Sequence, residues 1–537
     1  MKKLLLIALV VLSFFALFRL YLQPGFPYTH DGENHLARFA NYKIALKEGQ
    51  FPPRFAPNLM NHYGYPVFNY NYPLANILSV PFSTLGISYE LTFKLLVILS
   101  VFFGALGVWQ LAKVLRASPT TRWLSVLFWL LQPFLVSAIY FRGNIGEVFA
   151  LSLLPWLLWL PFSSAAQRLF GIVILTAFLL SHNISAVIGS GIYLSLSAVC
   201  LYRSKQKLLT SLSLYGWAVL LSLWFWLPAV AEISFVVVGS TGLVSDFTNH
   251  FVTLSQLLWS PLRFGFSYLG GVDSLSFSVG LPTILVILGS LILYFKKEQR
   301  TKSFPQILLC IFAVLSVFGQ LAISRPFWEA LPSASFIQFP WRLSLFTGTL
   351  LLPSLIYASQ RSRLVTKALV LLLIFQVIIV LRLEPVDYFH KNNIDYDVFS
   401  QSTSTQNENR TKEFTYAQIG DWRPEPKLLD PTAGSFSVQA WSGSARKYSL
   451  QLDRQTTIIE PTMYFPGWIT RVEESGYSRA VEYQIEDAQG RIAFLLPAGE
   501  YQITSKFTQN TPSRLIGNTV SILGFGVLLF TLRKRHG

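Results

Sequence analysis

Apolar residues fill most of the first 382 positions in long blocks, broken by short polar stretches. A helix of about 17–25 apolar residues crosses a hydrocarbon layer roughly 30 Å thick. Taking the blocks in turn predicts twelve spans, at 4–22, 91–111, 123–140, 149–162, 169–182, 184–202, 209–231, 279–295, 305–323, 343–360, 364–382 and 513–532. A further apolar stretch, 73–88, reads as re-entrant or interfacial, because a span there would put Lys113, Arg116 and Arg122 on the outer side. The block at 149–162 is short and carries Pro155, and 169–202 is interrupted by Ser181, His182 and Asn183. Broken helices are tolerated where they line a cavity.

After Arg382 the period changes. Residues 401–412 are rich in Asn, Ser, Thr and Gln and read as a linker, and 448–452, 480–485 and 501–504 alternate polar with apolar side chains. Pro466-Gly467 and Pro497-Ala498-Gly499 supply turns between such strands. The predicted fold is therefore a polytopic α-helical membrane protein of about twelve transmembrane helices with a C-terminal extracytoplasmic β-rich domain. Its parts are a multi-helix domain at 1–382 with a large first outside loop at 23–72, a β-sandwich-like domain at 383–512, and an anchor with a basic tail at 513–537.

Composition sharpens this picture. The chain is 52% hydrophobic and 13% charged, about half the charge of a soluble protein, which excludes a soluble enzyme. The net charge of +16 raises nucleic acid as a partner, but the bases are in the wrong places. Clusters at Lys2 and Lys3, Lys113 to Arg122, Arg168, Arg203 to Lys207, Lys296 to Lys302, Arg361 to Lys367 and Arg533 to Arg535 hold 19 of 43 Lys and Arg against one acid, Glu298. The whole excess sits in short loops, as the positive-inside rule expects of cytoplasmic loops. An even number of spans then leaves both termini cytoplasmic and the β-domain and first loop outside a plasma membrane. The start resembles a signal peptide, yet no small-x-small site precedes Gln23, so it reads as a retained helix. Cys200 and Cys310 lie within apolar runs and offer no disulfide framework.

Unusual polar groups collect on the predicted outer face. The first loop reads Tyr28-Thr29-His30-Asp31-Gly32-Glu33-Asn34-His35-Leu36-Ala37-Arg38. Carboxylates at i and i+2 share one side of an extended segment, and Gly32 allows close backbone approach. Such a pair can hold a divalent cation or act as a base; the alternative is an Asp that caps a helix running through 34–46. Arg142, in Arg142-Gly143-Asn144, has geometry suited to phosphate, with Glu147 as a metal ligand, base or helix-dipole partner; a structural Arg–Glu pair is the competing reading. His182 and Asn183 touch either a substrate or freed backbone groups. Glu232, Asp246, His250, Arg263 and Asp273 lie in a Gly- and Ser-rich loop read as a flap. Gln338, Trp341 and Arg342 mark a span entrance, where Arg342 either meets a lipid phosphate or snorkels.

Taken together, Asp31-Gly32-Glu33, Arg142-Gly143-Asn144 with Glu147, Phe339-Pro340-Trp341-Arg342, and Tyr464-Phe465-Pro466-Gly467-Trp468 followed by Pro497-Ala498-Gly499 resemble the C-type (GT-C) membrane glycosyltransferase superfamily. The closer resemblance is to YfhO-like membrane proteins and to the membrane family labelled as related to 6-pyruvoyl-tetrahydropterin synthase. It implies transfer of a sugar from a polyprenyl-phosphate donor to a cell-envelope glycan, lipid or protein, at the outer face and with inversion. Asp31 would be the base, or with Glu33 would hold Mg2+ or Mn2+. Arg142 and Arg342 would neutralise phosphate charge. Glu147, His182 and Asn183, with His30, His35, Arg38, Gln338 and Trp341, would bind substrate. Two other classes fit the same residues: a transporter or flippase of lipid-linked sugars, and a non-catalytic envelope assembly protein. A transporter would place ionisable groups deep in several spans, and an assembly protein would leave the acidic loop unexplained.

Overall fold

The computed structural model describes residues 2–163, 167–238, 246–267, 273–294, 304–331, 334–415, 422–485 and 488–536. The predicted basic cluster Lys296, Lys297, Arg300 and Lys302 lies outside them. A helix stands at each of the twelve predicted spans. Seven, among the described residues, are long and apolar enough to cross a membrane: Lys3–Leu22, Tyr89–Val114, Ile145–Phe162, Asn183–Leu201, Lys205–Phe235, Arg363–Leu381 and Pro512–Thr531. Pro119–Leu130 and Pro133–Arg142 make an eighth together, bent by 44°; Pro133 lacks an N–H and disfavours helix in the residue before it. The helices Arg168–Leu179, Leu281–Tyr294 and Phe304–Phe318 are shorter, at 12, 14 and 15 residues. The block at 343–360 is split into Ser344–Leu350 and Leu352–Arg361, with Pro353 in the first turn of the second. Length and composition thus carry seven or eight spans among the described residues. The 73–88 stretch forms the 11-residue helix Leu74–Thr84.

The chain folds as two compact units. The first comprises Met1–Glu33, Glu90–Val219 and Ser245–His390. Its helices bury one face and leave another apolar: Leu4, Val11, Leu99, Phe102, Leu364 and Leu371 are all about half exposed or more. In water such faces would be an aggregation hazard; in lipid they match the solvent. Within this unit the two-residue strands β1 (Phe26–Pro27) and β2 (Tyr388–Phe389) pair antiparallel. The backbone N–H of Tyr28 donates to Asp387 O at 2.8 Å, and the Tyr388 hydroxyl donates to Leu20 O at 2.9 Å. The acidic loop therefore leaves the first span already clamped.

The second unit comprises Asn34–Tyr89, Leu220–Val244 and Lys391–Gly537. Its centre is an antiparallel sandwich of a three-stranded sheet, β3 (Lys427–Leu428), β6 (Thr456–Met463) and β9 (Arg491–Leu496), and a five-stranded sheet. The latter runs β4 (Gly434–Trp441), β5 (Ala445–Leu452), β10 (Gly499–Phe507), β7 (Trp468–Glu474) and β8 (Tyr477–Ala480). Period-two burial in β5 and β10 puts Tyr448, Leu450, Tyr501 and Ile503 inside, as alternation in the sequence requires. The alternation at 480–485 does not continue the strand: β8 ends at Ala480, after which Val481 N donates to Thr470 O at 3.1 Å and Gln484 N to Ala493 O at 2.8 Å. The sheets meet around a charged core. Glu460 of β6 accepts from Arg446 at 2.8 Å and from Tyr448 at 3.0 Å, and the Arg446 guanidinium lies between the Trp441 and Trp468 rings.

A second buried pair ties the last helix, Pro512–His536, to the end of Lys205–Ala231. Arg514 donates from Nε and Nη2 to Glu232 Oε2 at 3.1 and 2.8 Å, while Thr511 and Ser513 donate to Oε1, each at 2.6 Å. Asn69 adds a bond to Oε2 at 3.0 Å. Removing one member of a buried pair strands the other charge, typically at about 3–5 kcal/mol. Arg514→Met is accordingly expected to lower the thermal unfolding midpoint of the detergent-solubilised protein by several degrees. An unchanged midpoint would show that the pair contributes nothing to stability.

Candidate functional site

In the first unit a bent helix delivers an arginine to a buried carboxylate. Residues Ala138–Arg142 form a π turn, which Gly143 ends in the left-handed conformation at φ +60°. π turns recur at functional sites because the extra residue displaces side chains from the helical register. The next helix, Ile145–Trp159, is capped by Asn144, whose side-chain oxygen accepts from Glu147 N at 3.0 Å. This cap fixes Glu147 in the first helical turn.

Glu147 is completely buried and three basic side chains approach the same oxygen. Arg142 Nη2 donates to Oε1 at 3.0 Å, Arg342 Nε lies 3.3 Å away, and His182 Nε2 lies 3.9 Å away. Each basic group is held from behind. The Arg142 guanidinium lies over the Trp341 ring at 4.6 Å and that of Arg342 over Phe339 at 4.8 Å. Arg342 also donates to Ile337 O at 3.0 Å and to Gln338 Oε1 at 2.8 Å. Gln338 itself adopts φ +65°, a conformation that turns the chain sharply before the span. The His182 Nδ1 is hydrogen-bonded to Ser185 Oγ at 2.9 Å at the start of Asn183–Leu201, which leaves Nε2 toward Glu147.

Two guanidinium groups thus share one buried carboxylate. Arg142 Nε and Nη1, Glu147 Oε2 and Trp341 Nε1 are buried without a hydrogen-bond partner among the described residues. A small recess of about 20 Å³ lies beside Arg142 and Trp341, walled by Pro133, Phe277, Ser276 and Ser344. Unsatisfied buried donors are costly, and donors facing a recess are arranged for an anionic oxygen.

The acidic loop is laid against this arginine by backbone. His30 N donates to Phe141 O at 3.0 Å and Asp31 N to Arg142 O at 2.8 Å. The approach is close: a Cβ at Gly143 would meet Thr29 Oγ1 at 2.2 Å and Gly32 N at 2.9 Å, and one at Gly32 would meet Thr29 Oγ1 at 2.4 Å. Asn144 Nδ2 donates to Asp31 Oδ2 at 3.1 Å, and Arg142 Nη2 stands 4.0 Å from the same oxygen. The Asp31 side chain stays 35% exposed, so its carboxylate is oriented yet reachable.

The carboxylate pair does not stand as an extended segment would place it. A helix begins at Gly32 and runs to Lys47, so Glu33 is helical and Asp31 precedes the helix. Residues two apart on a helix do not face each other; the reading of the segment as a helix start describes the geometry. Glu33 sits half-buried in the first turn, where negative charge suits the helix dipole. His35 and Arg38, further along that helix, belong to the second unit. There His35 Nε2 is 3.5 Å from the Tyr72 hydroxyl and Arg38 Nε donates to Thr403 Oγ1 at 3.0 Å. Asn183 opens its helix, half-buried. Among the described residues no three His, Cys, Asp or Glu side chains converge to hold a metal ion. No step below runs through a metal.

Some participants had no role assigned from sequence. Asn144, read there only as part of Arg142-Gly143-Asn144, serves both Asp31 and Glu147, and an Asn three residues before a Glu is a helix-start signal that points to such a role. Phe264 and Phe266 flank His30, with ring centroids at 4.9 and 4.8 Å; nothing local in the Gly- and Ser-rich loop distinguishes them. The loop's charged residues have local partners. Asp246 accepts from Thr248 N, His250 meets Ser267 Oγ, Arg263 donates to Ser274 O and Asp273 accepts from Gln256.

Burial, then the positive charge of Arg142, pushes the His30 imidazole down from 6.5 to about 4. The fold therefore favours neutral His30. That contribution is complete above pH 6.5 and is lost as the pH falls toward 4. The unfolding midpoint of the native protein is expected to drop across this window more than that of His30→Asn; parallel profiles would overturn the assignment. Gly143→Ala is expected to part the acidic loop from Arg142 and lower the midpoint. Gly191→Ala, in Asn183–Leu201 with open space around the position, is expected not to.

The chain was compared with known proteins. No curated protein matches the chain. Among solved structures, the cryo-EM structure of the arabinofuranosyltransferase AftD from Mycobacteria is 15% identical, with a TM-score of 0.45, covering 71% of this chain and 26% of that one. A variant of AftD gives 15% and 0.48, covering 73% and 29%. The Archaeoglobus fulgidus oligosaccharyltransferase in its apo form gives 12% and 0.40, covering 76% and 57%. The chain thus spans under a third of AftD and a little over half of the oligosaccharyltransferase. A family model described as "6-pyruvoyl-tetrahydropterin synthase related domain; membrane protein" matches residues 68–386, which include the arginines and the buried glutamate. The chain belongs to this family of multi-pass membrane proteins.

Proposed function

We propose that this protein is a GT-C-type membrane glycosyltransferase, which moves a sugar from a polyprenyl-phosphate donor to a cell-envelope acceptor on the extracytoplasmic face, with inversion. The observation that carries the reading is the placement of a reachable carboxylate, Asp31, 4.0 Å from Arg142, whose guanidinium shares the buried Glu147 with Arg342. In this reading the chain crosses the plasma membrane twelve times, with both termini cytoplasmic and the sandwich outside.

The chemistry follows from those positions. Asp31 accepts the proton of an acceptor hydroxyl as its oxygen attacks the anomeric carbon. The new C–O bond forms as the bond from that carbon to the phosphate oxygen breaks, and the electron pair leaves with the lipid phosphate. One displacement inverts the anomeric centre. Arg142 and Arg342 meet the negative charge that grows on the leaving phosphate, in a site where burial strengthens the attraction. Glu147 keeps both guanidinium groups in place, and Asn144 orients Asp31 through one carboxylate oxygen. His182 takes part through Glu147, and Trp341 fixes the plane of Arg142.

Asp31→Asn keeps the size and the Asn144 contact but removes the base. Turnover of a labelled polyprenyl-phosphate sugar is expected to fall by about two to four orders of magnitude, with the unfolding midpoint unchanged. Full turnover by the variant would refute the mechanism. Movement of the labelled lipid across vesicles without glycosidic bond formation would support a flippase.

A further inference from the structure

The second unit contains an open feature that the transfer chemistry does not use. A groove of about 760 Å³ runs along the sandwich, walled by Tyr63, Arg423, Glu425, Lys427, Phe436 and Arg491. The fold explains why it is there. Strand β3 pairs with β6 over only two residues, and the β6–β9 ladder shifts register between Glu460 and Met463, around Pro461. Proline lacks a donor, so pairing lapses there. The space left beside β3 is bounded by Tyr63, whose carbonyl accepts from Met463 N at 2.8 Å and whose ring packs on Phe414 at 5.6 Å. The opposite wall is the edge strand β4, where Phe436 is 38% exposed.

Three cations and one carboxylate line this groove. Arg423 and Glu425 stand 3.8 Å apart and are both well exposed, so their mutual attraction is weak. Lys427 and Arg491 come from strands β3 and β9, the two flanks of one sheet, and supply an excess of positive charge on a rigid scaffold. Phe436 adds a partly exposed aromatic ring. The volume lies within the range of about 300–1,000 Å³ usual for ligand sites. Cationic side chains recognise carboxylate or phosphate, and aromatic rings offer large apolar contact to the C–H faces of sugars. Few ligands other than a negatively charged oligosaccharide need both.

We infer that this groove binds an acidic glycan, a chain of sugars carrying carboxylate or phosphate groups, as the acceptor strand or its continuation. This rests on the proposal that the protein transfers a sugar to an envelope acceptor, and it names the acceptor's chemical class. Arg491 and Lys427 hold the anionic groups, and Phe436 contacts the intervening rings.

The test titrates the full-length protein in detergent with three probes of equal length: an oligogalacturonate, an oligomeric glycerol phosphate and a neutral malto-oligosaccharide. At least one acidic probe is expected to bind ten times or more tightly than the neutral one, and the stronger of the two identifies the anion. Lys427→Gln with Arg491→Gln is expected to weaken that binding at least tenfold. Lys427→Gln alone, at an exposed side chain that cannot compromise folding, is expected to weaken it several-fold. Equal binding of all three probes, or acidic binding untouched by these substitutions, overturns the inference. Asp31→Asn is expected to bind the acidic probe as the native protein does. Loss of transfer in that variant alongside no groove binding in any form removes the groove and leaves the catalytic reading. Groove binding alongside full transfer by Asp31→Asn does the reverse.

Discussion

A carboxylate sealed from water governs the architecture around it. Glu147 has no exposed surface, so its charge must be met by the protein, and Arg142, Arg342 and His182 are drawn to one oxygen from three distant places in the sequence. Once assembled, the cluster sets the position of everything nearby. Trp341 and Phe339 are pinned as platforms, Gln338 is bound to Arg342, and the backbone of Arg142 carries the acidic loop. A single buried acid thereby fixes a distance between a solvent-reachable carboxylate and two cations.

The second unit solves a similar problem twice. Glu460 meets Arg446 between two tryptophans, and Glu232 meets Arg514 at the head of the last helix. Hydroxyl donors share the load in both pairs: Tyr448 donates to Glu460, and Thr511 and Ser513 donate to Glu232. The cluster at Glu147 is built instead from three basic side chains around one oxygen.

Much of this was legible in the sequence. Helices occur at every apolar block because lipid selects runs of one length, and the sandwich core follows from alternation in 448–452 and 501–504. The individual arginines and Glu147 stood out because charge at a span entrance is costly without a purpose. Their convergence was not visible, since contacts between residues 142, 147, 182 and 342 depend on helix packing and not on local pattern. The acidic pair illustrates the opposite failure. Strand spacing suggested that Asp31 and Glu33 act together, but the helix that begins at Gly32 turns them apart. Helix lengths misled in another way: prolines at 133 and 353 divide apolar blocks that composition alone presents as continuous.

The π turn at Ala138–Arg142 has a consequence for how such a site can arise or disappear. Relative to an ordinary helix it accommodates one surplus residue, and each residue advances an α-helix by about 100°. Loss of a single codon in this stretch would restore regular winding and swing the guanidinium away from its carboxylate, leaving the hydrophobic profile of the segment nearly unaltered. Relatives that keep the membrane-embedded scaffold can therefore gain or forfeit this chemistry through one insertion or deletion, a change that hydropathy would scarcely register.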